Sequence, residues 1–248
     1  MVKKQFVIFI IVLLIITLWL INMRVIYVVL NQNDGCMKWI NISQYQKLSE
    51  EFIEKYQDKF DWYFITRYQK LSEPFMEKHR NKLHWYNVST FQKLSEEFIE
   101  KYQYYVKWGS ISQYQVLSEP FIERFQDKVK WVKISQYQKL SEPFMDKFQH
   151  KLYWYYVSIY QKLSEPFIEK HQDKLYWCFV SQYQKLSEPF IEKYQDKLDW
   201  YKICQYQNLS PEFVVKYIDR IKYTIKDNPC FDSYPDSLKS LLKKKFNK

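Results

Sequence analysis

From residue 39 onward, apolar and polar positions alternate with a period of 23. Trp stands at 39, 62, 85, 108, 131, 154, 177 and 200. Eight units fill residues 39–222 with no insertion or deletion. Counted from its Trp, each unit approximates W-x-x-I-S-x-Y-Q-K-L-S-E-P-F-I-E-K-Y-Q-D-K-L-x. Gln at repeat position 8, Leu at position 10 and Phe at position 14 occur in all eight units.

The pattern inside a unit predicts two helices. Position 11 is Ser in every unit, and Ser is a preferred N-cap. Glu follows in seven units, then Pro in five, at 74, 120, 143, 166 and 189. A Pro in the first turn costs little because the N–H groups there have no intrahelical partner. It therefore marks a helix start. Apolar positions 14, 15, 18 and 22 follow with the spacing of one helical face, predicting a second helix over positions 12–22. Positions 16, 17, 20 and 21 are charged and are expected to face solvent, laced by i,i+4 pairs. Positions 1, 4 and 8 share one face of a shorter first helix.

A strand would need period-two alternation, which W-x-x-I-S-x-Y does not give. A leucine-rich strand-plus-helix repeat has a compatible period but a different Asn and Leu ladder. Neither predicted helix can bury its face alone, so stacked units are expected to share a core. The fold expected is all-α: an α-solenoid of eight two-helix 23-residue repeats.

The ends depart from the repeat. Residues 1–38 form an anchor and short linker: 6–21 are apolar apart from Thr17, and VIYVVL follows at 25–30. A helix of about 20 apolar residues crosses a bilayer, so a transmembrane helix is expected, with Phe6, Ile11, Leu14, Leu18, Trp19 and Ile21 towards lipid. A cleaved secretory signal is the alternative, yet no small-x-small cleavage site follows. Flanking positive charge is nearly balanced and leaves orientation undetermined. NIS at 41–43 and NVS at 87–89 are glycosylation sequons. The last unit carries Cys204 for Ser and Pro211-Glu212 for Glu-Pro, as a terminal cap would. Residues 223–248 are read as the end of the cap and a basic amphipathic tail with Asp236 as its helix cap.

Composition narrows the chemistry. Alanine is absent and glycine occurs only at 35 and 109. Phosphate-cradling loops, dinucleotide fingerprints and nucleophile elbows all need glycine. The net charge is +10. Residues 1–38 contribute +3 and 223–248 another +3, leaving +4 over the repeats. With both signs interleaved, this argues against a phosphate-tracking stripe, and no nucleic acid is expected. The four cysteines fit no zinc module, and either free thiols or disulfides are compatible with their spacing. His79 and His171 fill the position-18 slot of Tyr or Phe, as core replacements. No residue pair has metal or nucleophile–base spacing. No cofactor, metal, small-molecule substrate or catalysis is expected.

Most aromatic residues fall at positions 1, 7, 14 and 18, assigned mainly to the core. Positions 2, 3 and 6 vary between units and point the other way. They carry Tyr63, Phe64, Tyr86, Tyr155, Tyr156, Phe179 and Tyr201, a candidate protein-binding surface. The W-x-x-I-S-x-Y-Q-K-L-S-E-x-F-I-E-K unit resembles tandem-repeat proteins encoded by large DNA viruses of amoebae, the mimivirus type. The resemblance covers residues 39–222 and implies no catalytic residue. The function expected is a non-enzymatic, single-pass membrane-anchored scaffold for an unidentified protein partner. A structural or virion-associated spacer, or a secreted repeat protein, is the alternative.

Overall fold

The computed structural model describes residues 35–221 and 225–246. Every described element is a helix, and the chain divides into two compact bodies between Gln115 and Val116. The expected anchor, with Phe6, Ile11, Leu14, Leu18, Trp19 and Ile21, lies outside the described residues. Among those residues, no helix is long and apolar enough to cross a membrane.

In the first body, the first helices of successive repeats are α1 (Gly35–Tyr45), α3 (Trp62–Tyr68), α5 (Trp85–Phe91) and α7 (Trp108–Tyr114). The second helices are α2 (Glu50–Lys55), α4 (Glu73–Lys78) and α6 (Glu96–Lys101). The second body begins with α8 (Glu119–Arg124). Its first helices are α9 (Trp131–Tyr137), α11 (Trp154–Tyr160), α13 (Trp177–Tyr183) and α15 (Trp200–Tyr206). The second helices there are α10 (Glu142–Lys147), α12 (Glu165–Lys170), α14 (Glu188–Lys193) and α16 (Pro211–Lys216). Within each body, each first helix packs directly on the next. The regular helical pairing expected from the period is therefore present, as a solenoid-like stack in each body.

The second helix is shorter than the pattern predicts, covering positions 12–17 and not 12–22. Ser at position 11 caps it as expected; in α12, Ser164 Oγ accepts from the N–H of Phe167 at 3.3 Å. Position 18 then leaves helical geometry, as at His171 with φ −111° and ψ 24°. The following residues close i→i+3 bonds, such as Lys174 N–H to His171 O at 2.9 Å. One freed carbonyl goes to the next tryptophan: Trp177 Nε1 donates to Gln172 O at 3.0 Å. That bond turns the chain towards the next first helix. No described residue has a positive φ. The turns stay in backbone regions open to any residue, which is how so regular a fold is built with two glycines.

The core lies between the two helix rows. Ile134 and Val157 at position 4 and Met145 and Ile168 at position 15 are fully buried, and Leu140 and Leu163 at position 10 nearly so. The tryptophans are only half-buried. Trp131 stacks on Phe144 at 6.4 Å and meets Phe148 at 5.2 Å, with Lys151 Nζ over its ring at 5.6 Å. The position-7 tyrosines are not core. Tyr68, Tyr114, Tyr137, Tyr160, Tyr183 and Tyr206 are all about half exposed.

After α17 (Ile218–Ile221) and two short 3-10 turns, the chain ends in α18 (Asp236–Phe246). Asp236 is the first helical residue of α18, and its predecessor Pro235 accepts the N–H of Lys239. Leu238 and Leu242 are buried, so the basic tail docks as part of the cap.

Candidate functional site

What holds repeat to repeat determines which side chains are left for a ligand. Four connections recur: three join one repeat to its neighbour, and one ties the two ends of a single repeat together. Gln161 Nε2 donates to Ser135 O at 3.0 Å and Gln138 O at 2.8 Å, while its Oε1 accepts from Leu140 N–H at 3.1 Å. Gln69, Gln92, Gln115, Gln184 and Gln207 repeat this arrangement. The invariant Gln is thus a C-cap supplied to the preceding first helix, satisfying carbonyls that a helix end leaves orphaned.

Glu at position 12 makes the second connection. Glu142 accepts from Ser164 N–H at 2.6 Å and from Ser164 Oγ at 2.9 Å. Ser or Thr at position 5 makes the third: Ser135 Oγ donates to Trp131 O at 2.8 Å and accepts from Tyr153 N–H at 3.0 Å. The fourth is a row of ion pairs. Lys170 pairs with Asp146 at 2.7 Å, Lys193 with Glu169 at 2.8 Å and Lys216 with Glu192 at 2.7 Å. The expected i,i+4 pairing is corrected here: six-residue helices are too short to support it, and the partners lie 24 residues apart in the adjacent repeat.

The two position-18 histidines extend this row. His79 Nε2 lies 2.6 Å from Glu54, and His171 Nε2 lies 2.6 Å from Asp146. Both rings are buried against aromatic neighbours, His171 at 4.9 Å from Trp154 and 4.5 Å from Phe167. Lys170 and then His171 hold the Asp146 carboxyl below its usual range; Lys78 and then His79 do the same for Glu54.

The row of Gln caps ends in the terminal cap. Asn228 Nδ2 donates to Cys204 O at 2.7 Å and Gln207 O at 3.0 Å. The buried Tyr234 hydroxyl lies 2.9 Å from both Leu209 O and Asn228 Oδ1. Burial pushes that hydroxyl's pKa well up. Pro211 occupies the Glu position of the last repeat, so the Glu row ends there too.

The predicted site residues divide between the two bodies. In the first body Tyr63 meets Phe64 at 5.3 Å and His84 at 5.1 Å, and His84 meets Tyr86 at 6.4 Å. In the second body Tyr155 contacts Tyr156 at 5.2 Å, Tyr176 at 5.5 Å and Phe179 at 5.0 Å. Tyr160 and Tyr183 extend this patch through Tyr156 and Phe179. Tyr155, Tyr160, Tyr176 and Tyr183 are exposed, while Tyr156 and Phe179 are partly covered. Tyr201 is exposed but makes no ring contact with the patch; its hydroxyl accepts from Gln205. Sequence reasoning missed Tyr160, Tyr176 and Tyr183 because it placed position 7 in the core and ignored position 23.

Position 3 is not uniformly outward. Asn87 is fully buried between first helices, with Nδ2 donating to Tyr63 O at 2.9 Å. The NVS sequon is therefore sealed in the folded chain, whereas Asn41 is exposed.

Cys178 and Cys230 are free thiols, and Cys204 is buried. Burial, followed by neighbouring Asp199, pushes the Cys178 thiol up, opposite to an activated nucleophile. Among the described residues, no cluster of three His, Cys, Asp or Glu side chains could hold a metal ion. The chain matches no protein-family model, no curated protein and no solved structure.

Proposed function

We propose that this chain is a non-enzymatic repeat protein that serves as a protein–protein interaction scaffold, held at a membrane by the apolar span of residues 6–30. One observation carries the binding part of this reading. Six rings of the second body, from Tyr155 to Tyr183, form a connected and largely exposed patch on the first-helix row. Tyr contributes large, rigid contact area at low entropy cost and is enriched in binding hot spots. The recurring Gln at position 8 and Glu at position 12, in contrast, are consumed by contacts between repeats.

Proximity labelling with the full chain in its native cell, repeated with Tyr155→Asp and Phe179→Asp, tests the reading. The wild type is expected to mark a set of neighbours that both variants lose. An unchanged set would favour a spacer role. Carbonate extraction tests the anchor: the chain should stay in the membrane pellet, and release into the supernatant would refute it.

A further inference from the structure

We propose that the first-helix row of the second body binds an acidic, extended peptide segment, one carboxylate per repeat. This rests on the scaffold reading and names the partner's chemistry. Repeat positions 1–9 contain no Asp or Glu in any of the eight units. They hold Lys133, Lys139, Lys162, Lys185 and Lys202 in the second body, and Asp199 before Trp200 is the acidic exception nearby. The acids lie almost entirely on the second-helix side, where Lys147, Lys170, Lys193 and Lys216 are paired with them. Lys139, Lys162 and Lys185 at position 9 are exposed and pair with no acid among the described residues. Each stands two residues from an exposed tyrosine: Tyr137, Tyr160 or Tyr183.

A cleft of about 360 Å³ marks where such a ligand enters. It lies between residues 182–188 and 206–208 and is lined by Tyr183, Lys185, Tyr206 and Asn208. Gln184 and Gln207 also line it, but their amides are spent on the caps. Glu188 lines it too, with both carboxylate oxygens turned to Ser210 at 2.5 and 3.1 Å. The groups turned to an incoming carboxylate include the Lys185 ammonium, the Tyr183 and Tyr206 hydroxyls and the Gln182 and Asn208 amides. Each can donate a hydrogen bond to an anion.

Spacing and ring orientation favour a peptide over nucleic acid. A peptide in the extended polyproline II conformation has three residues per turn and rises about 3.1 Å per residue, so every third side chain lies on one face at a spacing of about 9 Å, close to the 8–10 Å between packed helices. Side chains at every third residue therefore meet successive lysines. A nucleic-acid strand brings phosphates more densely than one lysine per repeat can neutralise. Tyr155 also meets Tyr176 at 80° and Phe179 at 83°, so these rings engage one another edge-on and do not stand apart as base platforms.

The test is fluorescence anisotropy on the full chain in detergent. The probes are a labelled peptide with Glu at every third residue, its Gln counterpart, and a single-stranded oligouridylate. Binding of the Glu peptide alone is expected, weakening with salt. The double variant Lys162→Glu/Lys185→Glu should cut its affinity by about tenfold or more, with unchanged circular dichroism and melting. No binding of the Glu peptide, equal binding of the Gln peptide, or an unaffected double variant overturns the proposal. So does tighter, lysine-dependent binding of the oligouridylate. If these results fail while Tyr155→Asp still removes cellular neighbours, the scaffold reading stands and the acidic partner falls.

Discussion

Gln161 and Leu140 are joined by a 3.1 Å hydrogen bond across 21 residues, from a buried backbone N–H to a buried side-chain carbonyl. The same amide closes two carbonyls of the preceding helix, so one side chain satisfies three backbone groups. Gln161→Leu keeps the approximate volume and abandons all three. Each buried unsatisfied group costs about 1–3 kcal/mol, so a loss of about 3 kcal/mol or more is expected in urea unfolding. A loss under about 1 kcal/mol would mean that water replaces the amide.

The half-burial of Trp131 gives an ordering. Trp131→Phe keeps an aromatic ring on Phe144 and removes the indole donation to Gln126 O at 2.9 Å. It should cost about 1 kcal/mol. Ile134, fully buried one turn on, should cost about 2–4 kcal/mol when truncated to Ala. Chemical denaturation of both variants checks the order, and the reverse would make the tryptophan row the principal core.

Acid should weaken the rows between repeats. Glu54 and Asp146 have carboxyls lowered in the fold by Lys78 and Lys170 first, then by His79 and His171. A depressed carboxyl contributes its full stability above the unfolded value, about 4. The contribution is lost as pH falls through the lower folded value. Melting temperature should therefore drop below about pH 4, and Glu54→Gln/Asp146→Asn should flatten that limb. An unaltered slope would show these pairs to be energetically silent.

Gly109 lies inside α7, and a Cβ built there meets nothing within 4 Å. Its φ is not positive. Gly109→Ala should therefore stabilise the chain by about 0.5–1 kcal/mol through reduced unfolded-state entropy and better helix propensity. Thermal unfolding reads this directly, and destabilisation would reveal a constraint on the site beyond sterics.

Asn228 closes the last repeat through Cys204 O and Gln207 O. Asn228→Ala should cost about 1–3 kcal/mol, concentrated at the end of the stack. Hydrogen exchange should accelerate over 200–209 while 131–140 is unchanged. Uniform acceleration would indicate all-or-none unfolding.

The sequence made the period, the Ser caps and the proline entries legible because each is local to one helix. Positions 4, 14, 15 and 22 are recognisable as core for the same reason. What the wheel does not reveal is which neighbour a side chain meets. It places Gln161 on the buried face without saying that its amide serves Ser135 and Gln138. It places Lys170 in solvent without saying that its partner is Asp146. Position 7 was assigned inward because Tyr is aromatic, yet the short first helix turns Tyr160 and Tyr183 outward. The net charge of the repeats hid a segregation that is visible once charges are summed by position: the nine residues after each repeat boundary hold no acid.

The recurring connections also bear on how such a chain can change length. Every Gln cap, carboxylate bridge and ion pair described spans one repeat boundary, and the same chemistry recurs from boundary to boundary within each body. Duplicating or deleting a whole 23-residue segment leaves no donor stranded, provided that the Asn228 and Pro211 terminus is kept. Inserting any other number of residues breaks the three connections between repeats at once. The repeat therefore acts as a unit of inheritance as well as of structure: unequal recombination can add or remove copies in whole steps, with folding as the filter that rejects every fractional one.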